Sequence, residues 1–403
     1  MRVSYIDCLD RFHPEADRPS FSADGRGAYR KTQIPLPVAL SDVPARFFRY
    51  GIEPRWLAAD LAAAGHPDLV FVTSHMTYWY TGVRETVDMV KAVFPGVPVV
   101  LGGIYATLLP DHARAHSGAC EVAPGPGEET VFRLVQHYTG FSCAPGFDTA
   151  QMDALPRPAF DLQSKIPYIP VLTTRGCPNR CAYCASHFLQ PRRMRRSPNH
   201  VAAEIAFWHK RYGVSNAAFY DDALLADADD HAIPLFEALC TLEQKVAFHT
   251  PNAVHVRPIT QEIAGLMYRA GFRTLRLGLE TADGNNRDID DKVGHEEFVR
   301  AVRYLLEAGF DAKHIGAYLL TGLPGQDLCS VEVSIDRVKQ YGIRPVLTYY
   351  TPIPHTRMWA AACAASRYDL AAEPLFTNNS LMPCMLSYDR TWINRLKQRA
   401  ALG

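Results

Sequence analysis

The sequence predicts an α/β protein in two parts: an N-terminal open parallel-sheet, Rossmann-like domain followed by a partial (β/α)6 barrel. Three observations carry this. Short continuous apolar runs alternate with longer helix-like stretches, the pattern of parallel strands covered on both faces. Between about residues 169 and 350 the alternation repeats six times, which suits an incomplete barrel. A chain of 403 residues is long enough for two domains, each burying its own core. The expected boundaries are 1–145 for the first domain, a linker over 146–164 with Pro156 and Pro158, 165–362 for the barrel, and a C-terminal extension over 363–403.

In the first half, residues 2–7 (RVSYID) read as a short strand, followed by an irregular Pro/Gly/Arg segment to about residue 45. PRWLAADLAAAG reads as a helix, DLVFVTS (68–74) as a buried strand, and 81–94 as a helix closed by Pro95-Gly96. PVVLGG gives the next strand, a helix starts near Pro110, and a short strand passes through Cys120 to Val122. The turn Gly125-Pro126-Gly127-Glu128 then opens a helix through Gln136. Ligands of open parallel sheets sit beyond the carboxyl ends of the strands, where Ser74, Gly102, Gly103, Gly125 and Gly127 fall. None of these turns is a G-x-G-x-x-G fingerprint, so no dinucleotide site is expected.

In the second half, strands are expected near 169–174, 216–221, 245–250, 273–279, 314–321 and 345–350, with helices near 198–212, 229–241, 260–270, 294–308 and 328–341. The loop after the first strand, RGCPNRCAYC, carries Cys177, Cys181 and Cys184 in the spacing C-x3-C-x2-C. Three thiolates can hold three irons of a cubane 4Fe–4S cluster and leave the fourth open to a small molecule, which distinguishes a catalytic centre from a closed structural one. The alternative is a zinc site, for which His187 would be the fourth ligand, or three unrelated thiols. Cys8, Cys120, Cys143, Cys240, Cys329, Cys363 and Cys384 are scattered and form no second cluster motif.

Apolar content is 48%, and 42 basic side chains balance 42 acidic ones. A dedicated nucleic-acid binder would be basic. The local exception is Arg192, Arg193, Arg195 and Arg196, either a solvated face or a patch for an anionic substrate or an acidic electron donor. No run reaches the length of a membrane span, and the N-terminus lacks a signal-peptide pattern. A reducing, cytoplasmic location is therefore expected, where thiolate metal sites survive.

The cysteine run resembles the motif of the radical S-adenosylmethionine (SAM) superfamily, whose pattern includes an aromatic residue before the third cysteine, here Tyr183. That resemblance implies a 4Fe–4S cluster whose open iron chelates SAM, reductive cleavage of the sulfonium, and a 5'-deoxyadenosyl radical. FYDD (219–222) resembles the family's strand end near the SAM amino group, which implicates Tyr220, Asp221 and Asp222; Asp222 is equally readable as a helix cap. TLRLGLET resembles the strand whose final carboxylate, here Glu280, meets the ribose hydroxyls, with Arg276 turned to the SAM carboxylate or held in a salt bridge. In GAYLLTGLPGQ, Gly316 and Gly322 would let adenine approach the backbone. His249, Thr250 and Asn252 end the third strand and face SAM or substrate, while His355 is taken as a surface residue where the family usually has Gly.

Upstream, VTS, GGIYA and GPGEE resemble the cobalamin-binding domain that precedes the core in a large subgroup. The D-x-H-x-x-G motif is absent, and Met76 to Tyr80 is bulky where a corrin would lie. The resemblance implies cobalamin-dependent methylation of an unactivated carbon in a small-molecule or peptide substrate, with a flavodoxin- or ferredoxin-type electron donor. The alternatives are radical cyclisation, rearrangement or oxidation without methyl transfer, or a non-catalytic iron–sulfur or zinc protein.

Overall fold

The computed structural model describes residues 2–17, 21–43, 46–142, 144–281, 293–385 and 390–401. Cys143 lies outside the described residues. Two compact units divide the chain: Met1–Ile166 together with Ala371–Thr377, and Pro167–Leu370 together with Asn378–Gly403.

The first unit begins with an antiparallel pair, β1 (Lys31–Ile34) and β2 (Phe47–Tyr50), inside and just after the stretch expected to be irregular. Its parallel sheet has the order β3 (Val70–Ser74), β4 (Val99–Gly102), β5 (Glu121–Val122). Around it lie α1 (Pro54–Ala64), α2 (Tyr80–Val93), α3 (Gly103–Leu108), α4 (Pro110–His116) and α5 (Gly127–Thr139). Val83, Val87 and Val90 recur at helical spacing on α2 and meet Trp56, Leu57 and Leu61 of α1 and Val99 and Leu101 of β4 in one core. Residues 2–7 form no strand. Val3 and Tyr5 are exposed, and the segment is anchored instead by Ile52 N donating to Cys8 O (2.9 Å), so an apolar run without a neighbouring strand stays irregular.

Residues 371–377 complete this unit. Tyr80 donates its hydroxyl to Glu373 Oε2 (3.1 Å), and Thr377 Oγ1 lies 3.2 Å from Thr77 Oγ1.

The second unit is built on six parallel strands in chain order: β6 (Ile169–Val171), β9 (Asn216–Phe219), β10 (Ala247–His249), β12 (Phe272–Glu280), β13 (Ile315–Thr321) and β14 (Arg344–Tyr349). Chain order with parallel pairing is what successive β/α units produce. A short strand β11 (Val254–His255) also pairs with β12, and an antiparallel ribbon of β7 (Thr174–Arg175) and β8 (Met194–Arg195) leaves the sheet beyond β6. The helices are α6 (Ser186–Leu189), α7 (Pro198–Tyr212), α8 (Ile233–Cys240), α9 (Gln261–Ala270), α10 (His295–Glu307) and α11 (Leu328–Lys339). Ser197 and Thr260 cap α7 and α9 through their side chains.

Phe219, Phe248 and Phe272, on three neighbouring strands, pack at 5.4–5.6 Å, and Phe236 of α8 meets Phe272 edge-on at 5.3 Å. Removing one such ring costs about 3–5 kcal/mol. After β14, Met358 N donates to Ala182 O (2.9 Å), so the segment leading into α12 (Trp359–Ala365) returns to the cysteine loop. The final helix, α13 (Arg390–Ala401), lies along the β14 edge: Lys397 sits over the Tyr349 ring at 5.7 Å, and Arg399 pairs with Asp336 of α11.

Candidate active site at the cysteine loop and strand ends

Cys177, Cys181 and Cys184 lie in one loop beyond β6 and β7, all half-buried. Cys177 Sγ is 4.0 Å from Asp222 O; Ser186 presents its amide (3.5 Å) and its hydroxyl (3.2 Å) to Cys184 Sγ. Such donors stabilise a thiolate. His187 Nε2 donates to Asn179 O (2.7 Å), bracing the loop from within. Among the described residues, no three His, Cys, Asp or Glu side chains are gathered tightly enough for a single ion. The donor set is three accessible thiols from one loop, and it fits an iron–sulfur cluster.

The loop is tied to the neighbouring strand ends. Asn179 Nδ2 lies 2.9 Å from His255 Nδ1, and His255 Nε2 is 3.3 Å from Asp222 O. Asn252 Nδ2 donates to Tyr220 O (2.8 Å), joining the ends of β9 and β10. Asp221 is 2% exposed. Its Oδ1 accepts from the amides of Thr173 (3.0 Å) and Thr174 (2.6 Å) and from both threonine hydroxyls (2.7 and 2.8 Å), while its Oδ2 is buried without a partner. Burial pushes the Asp221 carboxyl up against those four bonds, and burial likewise raises Asp222, opposed by a hydrogen bond from Ser186. Thr173, Thr174 and His231, whose Nε2 meets Thr173 Oγ1 at 3.0 Å, carry no functional signal in the sequence. The hydrogen bonds of the two threonines, to Asp221 and from Thr173 to His231, join positions 47 to 58 residues apart and leave no local pattern.

Glu280 closes β12, nearly buried and with φ +59, a conformation non-glycine residues rarely hold and that clusters at functional sites. Tyr183 flanks Cys184, half-buried. Arg276 is placed elsewhere: its NH1 donates to Leu275 O (2.9 Å) and His314 O (3.4 Å), so the guanidinium lies at the amino end of β13. The space over Gly316 is taken by Val346 and Arg276, where a Cβ would meet Val346 Cγ2 at 2.9 Å. Over Gly322 stands Met382, with its Sδ 2.9 Å from such a Cβ. His249 has both ring nitrogens engaged, with Thr274 Oγ1 at 2.8 Å and Asn216 Oδ1 at 3.1 Å, and Thr250 Oγ1 accepts from Arg276 N (3.1 Å). His355 is exposed, as expected, and stacks on Phe188 at 3.9 Å.

In the first unit the five predicted residues gather at the strand ends. Gly103 has φ +88, and a Cβ there would lie 2.5 Å from Thr73 Oγ1, so only glycine lets β3 and β4 close together at this point. Gly102 ends β4, 3.8 Å from Ala123 O by the same measure. Thr107 Oγ1 donates to Gly103 O (2.8 Å) and accepts from Gly125 N (2.9 Å), linking the two glycine turns. Gly125 and Gly127 face open space, and Ser74 Oγ is buried without a partner. An unpaired buried hydroxyl beside glycine turns with free space above them fits the polar tail of a nucleotide-bearing cofactor. Thr77–Trp79 forms a helical turn, with Trp79 exposed beside Tyr78. His75 is exposed.

Two family models match the chain: the radical SAM superfamily over residues 171–353 and the B12 binding domain over 56–135. An uncharacterized methyltransferase of Pyrococcus horikoshii is 25% identical over 327 residues, covering 74% of this chain and 70% of that protein. A bacteriochlorophyllide d C-12(1)-methyltransferase of Chlorobaculum tepidum is 25% identical over 305 residues, covering 72% of this chain and 64% of its relative, a little under two thirds. The structure of TsrM from Kitasatospora setae, a radical S-adenosylmethionine methyltransferase with cobalamin and a [4Fe-4S] cluster bound, shares the fold at TM-score 0.64 and 18% identity, over 77% of this chain and 70% of that one. The three-thiol loop at the end of a chain-ordered parallel sheet and the glycine turns upstream fall within the two matched regions. The chain carries a B12-binding domain followed by a domain of the radical SAM superfamily.

Proposed function

We propose that this protein methylates an unactivated carbon of a small molecule, using a 4Fe–4S cluster, SAM and cobalamin. The carrying observation is the presence, in one chain, of a three-thiol loop and a strand-end cradle with an unpaired buried serine hydroxyl. When bound, the cluster supplies the electron that splits the SAM sulfonium, and cobalamin carries the methyl group.

The chain's own residues bind and orient these groups. Cys177, Cys181 and Cys184 hold three irons and leave one for SAM, with Ser186 donating to the Cys184 sulfur. Glu280, fixed at the end of β12, accepts from the ribose hydroxyls; Tyr220, Asp222 and Asn252 border the SAM amino group, and Tyr183 lies beside the cluster. Asp221 acts through its threonines, holding the backbone that enters the cysteine loop. In the other unit Ser74 donates to the nucleotide tail, and Gly102, Gly103, Gly125 and Gly127 keep the backbone low beneath it. A relative named for acting on bacteriochlorophyllide, and a TsrM structure holding tryptophan, support a small molecule as substrate over a peptide. A flavodoxin- or ferredoxin-type donor in the cytoplasm would supply the electrons; among the described residues no helix is long and apolar enough to cross a membrane.

The test is anaerobic purification with elemental analysis, then incubation with SAM and a reductant. Iron, cobalt and formation of 5'-deoxyadenosine or S-adenosylhomocysteine are expected. Protein that takes up iron but no cobalt would sink the methylation reading and leave the radical chemistry standing.

A further inference from the structure

We propose that the arginine-rimmed face around the cysteine loop is a docking surface for an acidic one-electron donor protein. The inference rests on the function above in one respect: an electron must reach a cluster held by this loop. Arg180 lies inside the loop, between Cys177 and Cys181, and is exposed. The exposed Arg357 donates to Arg180 O. On the opposite flank Gly176, the residue before Cys177, packs against the arginine run: a Cβ on it would lie 3.1 Å from Arg192 O and 3.4 Å from Arg193 Cα. Arg192 is exposed, and Arg195 is 44% exposed.

Within the run, Arg193 and Arg195 share Asp227, at 2.8 Å and 3.5 Å from their NH1 atoms, and Arg196 pairs with the buried Glu204 at 2.8 Å. Among the described residues Arg180, Arg192 and Arg357 form no ion pair. In a chain of balanced charge, 42 against 42, this is a concentrated local excess. It also borders an exposed flat apolar surface: Phe188, 43% exposed, lies parallel to His355 at 3.9 Å. Arginine beside aromatic rings is the composition of a protein-docking centre, and exposed cations steer an oppositely charged partner toward it.

What the loop holds decides the occupant. A thiolate cluster is reduced from outside by a carrier that approaches closely, gives one electron and leaves. In that step the donor loses one electron and the cluster gains it; no bond or proton moves. A flavin or iron–sulfur protein rich in surface carboxylates meets these demands, because rim charges favour fast arrival over tight holding.

The experiment uses the whole protein with its cluster assembled and follows cluster reduction by stopped-flow absorbance. One reductant is a purified bacterial flavodoxin in its hydroquinone form; the other is photoreduced 5-deazariboflavin, which is small and uncharged. The double variant Arg192→Glu/Arg195→Glu is expected to slow reduction by flavodoxin about tenfold or more at low salt, and to flatten its dependence on salt. Reduction by the deazaflavin is expected to stay within about twofold of wild type. Arg357→Gln should give a smaller loss in the same direction.

Wild-type reduction by flavodoxin that ignores salt, or a double variant as fast as wild type, would overturn the proposal. Equal slowing with both reductants would also overturn it, since the arginines would then be holding the cluster loop itself. So would retention of RNA or anionic vesicles by the wild type with flavodoxin kinetics unchanged in the variant. Wild-type protein that assembles no iron would sink the proposed function along with this inference, whereas the other outcomes sink only this one.

Discussion

Replacing Asp221 with alanine removes the acceptor of four donors at once, two amides and two hydroxyls from Thr173 and Thr174. The hydroxyls can rotate, and Thr173 already has His231 within 3.0 Å, but the two amides are fixed by the backbone entering the cysteine loop. A buried donor left without a partner costs about 1–3 kcal/mol, so the two amides cost about 2–6 kcal/mol. For a unit of this size that is a fall in Tm on the order of 10 °C. Asp221→Asn keeps one acceptor oxygen and should lose about 1–2 kcal/mol. The assay is an anaerobic thermal melt of both variants, paired with iron content and SAM binding by equilibrium dialysis. Asp221→Ala should melt early and assemble less cluster, with SAM affinity per assembled cluster within about threefold of wild type. If it instead melts within 2 °C (about 1 kcal/mol) of wild type while SAM binding is lost, Asp221 is a SAM ligand and the bracing argument is refuted.

Ser74→Ala deletes a hydroxyl that has no partner in the protein, so the cofactor-free melt should be unchanged or slightly higher, while cobalamin affinity falls about 2- to 10-fold, read by dialysis against cobalt. Gly103→Ala places a Cβ 2.5 Å from Thr73 Oγ1 at φ +88 and should cost roughly 2–4 kcal/mol, visible in the denaturant midpoint of the first unit. Burial and the neighbouring His116 hold the His112 imidazole down to about 4, so it is neutral in the fold while the unfolded chain protonates near pH 6.5. Its contribution is full above pH 6.5 and is lost as pH falls toward 4; because the ring is only half-buried, solvent screening keeps that loss to about 1–2 kcal/mol, and His112→Gln should flatten that part of the stability–pH curve.

The six strands of the second unit were legible because each is a short apolar run bounded by turn residues, and their chain order follows from parallel connections. The cysteine loop was legible because its three cysteines sit within eight residues. RVSYID has the composition of a strand, but nothing pairs with it, and composition alone does not supply a neighbour. The β1–β2 pair and α12 leave little trace in the sequence: KTQI and FFRY show no clear apolar alternation, and WAAACAA is mostly alanine and shows no amphipathic face. Arg276 alternates correctly with its apolar neighbours, but periodicity gives the face of a strand and not where a long side chain ends. The bracing role of Asp221 and the left-handed backbone at Glu280 are properties of residues brought together from far apart.

The segment 371–377 has a consequence for biosynthesis. The B12-binding unit takes seven residues from beyond the barrel strands, so Tyr80 and Thr77 wait for Glu373 and Thr377 until all six of those strands have been translated. At about 5–20 residues per second, the roughly 200 residues after Ile166 take on the order of 10–40 s to emerge. A fragment ending at Ile166 would be a nascent intermediate rather than a finished module, and corrinoid capture would follow translation of residues 371–377.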